Sequence, residues 1–74
     1  MMWNYEGMEV TGMYMETFHV VGRVELSRVA YGGRVKHTVV LERPIDVFGS
    51  VRDRVILDHE SVTRVRDLTL NLSR

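Results

Sequence analysis

The chain has no cysteine, only one proline and no long apolar run, and these absences exclude several classes of protein. Without cysteine it can form no disulfide and no thiolate metal site, and its three histidines, His19, His37 and His59, are too scattered to suggest a zinc site. The sequence contains no stretch of about 18 apolar residues, which is the length needed to span a membrane. No basic residue precedes Arg23, which argues against a secretory signal, so we expect an intracellular, cytoplasmic protein.

The length of the chain limits how much core it can build. With 74 residues it is one domain at most. A domain of this size buries only about 60% of the surface that its unfolded chain exposes, so a monomer would be marginally stable. Domains this small usually need disulfides, metals or partners. Because the sequence indicates neither of the first two, we expect self-assembly.

The charges balance overall but are unevenly distributed. The formal net charge is zero, yet all ten basic residues lie after position 16, together with seven of the ten acidic residues. Nine of the ten basic residues are arginine, whose planar guanidinium suits phosphate, carboxylate and interface ion pairs. The pattern fits a salt-bridged, solvated sheet surface. It also fits a basic stripe, since i, i+2 pairs such as Arg64 and Arg66 share one face of a strand.

The first half of the sequence predicts a long, bent hairpin. Residues 1–13 predict either a short first strand at residues 8–11 or an ordered arm. A glycine inside a strand marks a bend, a bulge or a close backbone approach, and Gly22 lies in register with four alternating apolar residues: Phe18, Val20, Val24 and Leu26. The glycine pair in residues 30–34 predicts the turn, because tight hairpin turns need positive φ angles.

The second half predicts three more strands. In residues 35–41 one face holds Val35, His37, Val39 and Leu41, and we expect Pro44 to end this strand. Residues 45–50 predict a loop or a weak strand end. Residues 54–58 predict a short buried strand, residues 59–61 a tight corner, and residues 62–66 a last strand. The tail, residues 68–74, could be an edge strand or a partner-binding extension.

About five strands and almost no helical signal predict an all-β domain. The candidate architectures are an SH3-like barrel, an OB-fold and an Sm-like barrel. The order of the parts resembles the Sm/LSm family, which includes the bacterial Sm-like RNA chaperone. The resemblance covers about two-thirds of the chain, from Phe18 to Asp67. It is carried by Gly22 and by aliphatic residues that fit the two motifs of the family: Val39, Val40, Leu41, Val55, Ile56, Val62 and Val65.

The resemblance implies a small, strongly bent five-stranded barrel covering residues 1–74. The chain departs from the family at the residues that read a base. Arg34 stands where the family usually has an aspartate, and Thr38 replaces the base-reading asparagine. Asp58 and His59 replace the arginine and glycine of the second motif, and Ser61 replaces its asparagine or equivalent. The usual uridine pocket is therefore not preserved, as expected of a divergent member, such as one of a phage-type branch.

The resemblance also implies an oligomeric ring whose last two strands dock edge to edge between subunits. On that basis we expect these residues at the subunit joints: Arg54, Val55, Ile56, Leu57, Val62, Arg64 and Val65. The loops that line the pore in such rings, with Tyr31 as a possible stacking residue, give the candidate residues for binding RNA or single-stranded nucleic acid: Tyr31, Arg34, Lys36, His37, Thr38, His59 and Ser61. The alternative is a protein–protein adaptor or structural ring that binds no nucleic acid, which the loss of the usual pocket residues and the zero net charge favour.

Nothing in the sequence predicts an enzyme. Asp58, His59 and Glu60 are consecutive at a corner, and such neighbours rarely converge on one substrate. Ser27 and Ser50 have no visible histidine–acid partner set, and there is no phosphate loop of the Walker kind. We therefore expect no catalytic site, no cofactor and no metal.

Overall fold

The computed structural model describes residues 3–66, and five strands make up most of this range. They are β1 (Glu9–Tyr14), β2 (Phe18–Val29), β3 (Val35–Val47), β4 (Ser50–Asp58) and β5 (Val62–Arg64). Single turns of 3₁₀ helix follow β2 at Tyr31–Gly33 and β4 at His59–Ser61. The predicted first strand is thus present, although β1 runs to Tyr14. Within residues 3–66 no helix has the length and apolarity needed to cross a membrane.

The strands form one antiparallel sheet in the order β4-β3-β2-β1-β5. β2 and β3 form the predicted central hairpin, with Val24 opposite Val39 and Val29 opposite Val35. Among the described residues, β4 and β5 are the two edges of the sheet and do not pair with each other. The all-β, five-stranded architecture is confirmed, whereas the sheet is not closed into a barrel.

The core lies on one face of the sheet and consists of valine and leucine. Ladder pairs align Val24, Val39 and Val55 across the three strands β2, β3 and β4. The buried cluster comprises Val10, Val20, Val24, Val39, Leu41, Val55 and Leu57. β-branched side chains fit this half-buried, pleated surface well, which explains their enrichment.

A β-bulge in β2 changes which side chains face the core. The register runs from Val24 opposite Val39 directly to Leu26 opposite Thr38, so Glu25 is the extra residue. The bulge reverses the alternation, and Leu26 is therefore 44% exposed while Ser27 is buried. The prediction that Leu26 shares the core face with Val20 and Val24 was wrong for this reason.

Gly22 allows β2 and β3 to approach closely, which is one of the three roles that the sequence left open for it. A Cβ atom at this position would collide with the carbonyl oxygen of Val40 and would lie 2.8 Å from Cγ1 of Val39. Only glycine fits without a shift of the neighbouring backbone.

Pro44 does not end β3, contrary to the expectation. Pairing with β4 stops after Val40 and resumes at Ile45, so the proline lies in an unpaired, irregular stretch where its missing N–H costs no ladder bond. Phe48 and Gly49 then form a tight turn with φ angles of 52° and 88°. As a result β4 begins at Ser50 rather than at position 54.

The last strand is shorter than predicted. β5 ends at Arg64, so Arg66 does not share a strand face with it. The 59–61 corner is confirmed as a 3₁₀ turn. The predicted tail, residues 68–74, lies outside the described residues.

Candidate nucleic-acid interface and a buried histidine pair

The turn between β2 and β3 presents Tyr31 to solvent. The N–H of Gly33 donates to the carbonyl of Ala30 over 3.0 Å, and the N–H of Ala30 donates to the carbonyl of Arg34 over 2.6 Å. Gly32 and Gly33 both have positive φ angles, which closes the turn. Tyr31 is 91% exposed on this closed turn, so its ring is available for stacking.

Two predicted cations meet an acidic residue that the sequence did not assign to them. Nζ of Lys36 lies 2.7 Å from Oδ1 of Asp58, and Nη2 of Arg34 lies 3.9 Å from Oδ2 of the same carboxylate. The hydrogen bond from Lys36, then the charges of Lys36 and Arg34, lower the pKa of Asp58 below its ordinary value. β4 ends where Asp58 pairs with Lys36, which is why the two side chains meet.

The same row of the sheet adds a third cation. Arg28 of β2 lies opposite Lys36, which in turn lies opposite Asp58. Within residues 3–66 the Arg28 side chain forms no ion pair or hydrogen bond. This end of the sheet thus carries three cations, Arg28, Arg34 and Lys36, and one carboxylate, Asp58, which leaves a local excess of positive charge.

The outer face of the sheet continues this surface with mixed apolar and basic rows. Thr38, a predicted contact residue, is half-buried between Leu26 and Ile56, both exposed. In the next row Val40 lies between Arg23 and Arg54. Arg54 forms an ion pair of 3.0 Å with Glu25, the bulge residue. The outer face therefore combines apolar side chains with arginines.

His37 does not belong to this surface. Its side chain is completely buried, facing the core from β3. Nδ1 of His37 lies 2.7 Å from Oγ of Ser27, and its Nε2 lies 2.9 Å from Nδ1 of His59. The position of His37 therefore does not support its prediction as a nucleic-acid contact, because its ring is closed off from the surface.

The hydrogen bonds between Ser27, His37 and His59 can run in either direction. If the Ser27 hydroxyl donates to Nδ1 of His37, then Nε2–H of His37 donates to His59; the reverse order is equally compatible. Burial, followed by the charge of His59, lowers the pKa of His37. The buried imidazole is therefore neutral at neutral pH, where it needs no counter-ion.

The sequence missed this network. Ser27 seemed to have no histidine partner, because the bulge that turns it inward leaves no signal in an alternating pattern. Its hydroxyl is buried and so does not face a substrate. Tyr5 was also missed: its ring stacks on His37 with a centroid separation of 4.8 Å and an interplanar angle of 4°. Within residues 3–66 no three His, Asp or Glu side chains converge as metal ligands.

A groove of about 490 Å³ runs beside β4 and joins several predicted residues. Lys36 and Asp58 line one part of it, and Ser61, exposed at the corner, lines another. Met13 of β1 and Met15 of the β1–β2 turn also line it. The structure thus brings Arg34, Lys36 and Ser61 to one region with His59 nearby, while Tyr31 projects from the adjacent turn.

The residues predicted at subunit joints divide by orientation. Val55 and Leu57 point into the core, so only their backbone could face a neighbour, whereas Arg54 and Ile56 are exposed. On β5 and after it, Val62 packs partly against the core, and Arg64 and Val65 are half-buried. The guanidinium carbon of Arg64 lies 5.4 Å from the centre of the Tyr5 ring.

Comparisons with known proteins do not add a family. No protein-family model matches the chain, and neither the curated proteins nor the solved structures gave a match.

Proposed function

We propose that the protein is a homo-oligomer of Sm-like architecture that binds RNA or single-stranded DNA and acts in nucleic-acid processing. The observation that carries this proposal is the pairing of Arg34 and Lys36 with one carboxylate, with Arg28 opposite Lys36 on the next strand and the exposed ring of Tyr31 on the adjacent turn. Cations that follow a backbone and an aromatic ring that stacks a base are the two elements of single-strand binding.

Each part of this surface has a distinct role. Arg28, Arg34 and Lys36 contact phosphates, which fixes the strand without reading its sequence. Tyr31 stacks one base, a contact that contributes about 1–3 kcal/mol. Thr38, His59 and Ser61 offer hydrogen bonds to bases or sugars. Because the phosphate contacts dominate, affinity falls steeply as salt is added.

The edges of the sheet support assembly. β4 and β5 are both edge strands in the described chain, and pairing the β4 edge of one copy with the β5 edge of the next is a head-to-tail contact that can close into a ring. Ile56 is exposed, so Ile56→Asp should weaken assembly and leave the protomer folded. Val62→Asp should weaken assembly or folding, because Val62 also packs on the core.

The binding test is fluorescence anisotropy with labelled oligo-U and oligo-A at low and moderate salt. The Arg34→Ala/Lys36→Ala variant should bind more weakly, and its log–log salt slope should be shallower by about 1.4, since each single-strand phosphate contact contributes about 0.7. The matched control is Arg43→Ala/Arg52→Ala, which removes two cations from the far end of the β3–β4 hairpin. Equal affinities of the two variants would refute the assigned surface.

A second candidate function is a protein–protein adaptor. It is favoured by the exposed apolar side chains of Leu26, Val40 and Ile56 on the outer face of the sheet. The same titration separates the two, because an adaptor would bind neither oligonucleotide at micromolar protein.

A further inference from the structure

The chain segment before β1, residues 3–8, lies along β2 and is held there by five hydrogen bonds. This segment is called the strap below. The N–H of Tyr5 donates to Oγ of Ser27 over 3.0 Å, and the N–H of Ser27 donates to Oε2 of Glu6 over 2.9 Å. The N–H of Gly7 donates to the carbonyl of Val24 over 2.8 Å. Two further bonds join Val24 N–H to Met8 and Arg23 to Gly7. All five hydrogen bonds join the strap to residues 23–27 of β2, the part of the strand that contains the bulge.

The strap covers the buried His37 and its half-buried partner His59. The ring of Tyr5 lies parallel to His37 at 4.8 Å and tilted against His59 at 4.9 Å. Ser27 bonds both to the strap, through Tyr5, and to His37. Any change in the position of His37 is therefore transmitted to two of the strap's contacts, the stacked ring and the Ser27 hydroxyl.

The histidine pair accepts one proton but not two. In one direction of the hydrogen bond between them, Nδ1–H of His59 donates to Nε2 of His37, which accepts. A second proton would place N–H against N–H across the same 2.9 Å, because both ring nitrogens of an imidazolium are donors. Two adjacent positive charges would also repel each other. The doubly protonated pair therefore cannot keep this geometry.

The surrounding charges do not offset a charged pair. Among the described residues no carboxylate contacts either imidazole: Glu6 accepts from the backbone of Ser27, and Asp58 is engaged by Lys36 and Arg34. Glu60 is exposed at the corner. Arg64 lies over the Tyr5 ring, with its guanidinium carbon 5.4 Å from the ring centre. The polar and titratable side chains on the elements packed around the two histidines are Tyr5 and Glu6 (strap), Ser27 (β2), Lys36 (β3), Asp58 (β4), Glu60 (corner) and Arg64 (β5).

We propose that the strap is an acid-released cover: double protonation of His37 and His59 detaches residues 3–8 from β2 while the five-stranded sheet remains folded. The ladders between β2, β3 and β4 do not involve the strap, and the seven buried core residues all lie on β1 to β4, where Tyr5 of the strap packs against them. Release uncovers the Ser27–His37–His59 row to water at acid pH. This switch does not depend on nucleic-acid binding.

The test is an NMR titration from about pH 8 to about pH 5, the range in which histidine charge changes. It follows the amides of Tyr5 and Gly7, the imidazole C–H signals, and the methyl groups of Val39 and Val55. The strap amides should shift with a midpoint below 6.5, together with the second imidazole step, while the valine methyls stay native. Emission of Trp3, the single tryptophan, should shift to the red at the same midpoint.

Two variants separate the switch from general acid sensitivity. In His59→Asn the amide oxygen can accept from Nε2–H of His37 in either protonation state, so the strap should stay closed down to about pH 5. His19→Asn, which changes an exposed histidine bonded to Thr11, should release like the native chain. Strap signals that stay constant, valine methyls that move with the strap, or release unchanged in His59→Asn would each overturn the proposal.

Discussion

Lys36 and Asp58 form a short ion pair, with Nζ 2.7 Å from Oδ1, at the centre of the proposed nucleic-acid surface. A phosphate that approaches Lys36 must compete with this carboxylate, which also attracts Arg34 from 3.9 Å. The pair therefore sets the local charge of the surface.

Removing the carboxylate should strengthen binding. In Asp58→Asn, Lys36 and Arg34 are released to contact phosphate, so the Kd for oligo-U measured by anisotropy should fall several-fold at low salt. Asp53→Asn is the matched control, because it removes the same charge from a β4 residue with no side-chain partner among residues 3–66. Weaker binding by Asp58→Asn, or an equal gain in the control, would contradict the role of Asp58.

The buried histidine predicts how stability depends on pH. The pKa of His37 is lower in the folded chain than its ordinary value of 6.5, so the unfolded chain binds more protons between these two values. Stability is therefore fully present above 6.5 and falls as the pH drops toward the folded pKa. The slope attributable to His37 is at most about 1.4 kcal/mol per pH unit. Urea unfolding at a series of pH values measures it, and a free energy of unfolding that stays flat below 6.5 would contradict the burial of a neutral His37.

The close approach at Gly22 predicts a severe effect of a single methyl group. Gly22→Ala places a Cβ against the carbonyl of Val40 between the two central strands, so it should cost more than about 3 kcal/mol or prevent folding. At Gly32 a Cβ meets nothing within 4 Å, and only the positive φ angle is unfavourable. Gly32→Ala should therefore cost about 1–2 kcal/mol. Thermal and urea unfolding compare the two, and equal costs would exclude the close contact.

Because of the β-bulge, the larger side chain of Leu26 should contribute less to the free energy of unfolding than the smaller side chain of Val24. Val24 is buried, so Val24→Ala should cost at least about 1.5 kcal/mol. Leu26 lies on the outer face, and Leu26→Ala should change the free energy of unfolding by less than about 0.5 kcal/mol. Chemical unfolding of both variants tests the bulge. A larger loss for Leu26→Ala would restore the uninterrupted alternation that the sequence suggests.

Alternation and glycine positions were enough to predict the sheet. The faces of Val35, Val39 and Leu41, the turn at residues 30–34 and the close approach at Gly22 follow from local pattern, because each depends on a few neighbouring residues. Leu26 was misplaced since a bulge shifts the face without altering the residue types around it. Pro44 was read as a strand end because the sequence does not show that the ladder is already interrupted there.

The site was harder to predict because its contacts are distant in sequence. Lys36 meets Asp58, and His37 meets His59, each across 22 residues. The β3–β4 hairpin sets both contacts, and its register depends on the irregular stretch between Val40 and Ile45. The sequence did not assign Asp58 to this region and could not separate the exposed cations from the buried histidine.

The most direct test of the account is light scattering after size exclusion, performed on the protein alone and with a short single-stranded oligonucleotide. The account predicts one species at several times 8.6 kDa, which gains the mass of the oligonucleotide at low salt and loses it at high salt. A monomer of 8.6 kDa would contradict the edge-to-edge assembly, and an oligomer that never carries the oligonucleotide would contradict the nucleic-acid function.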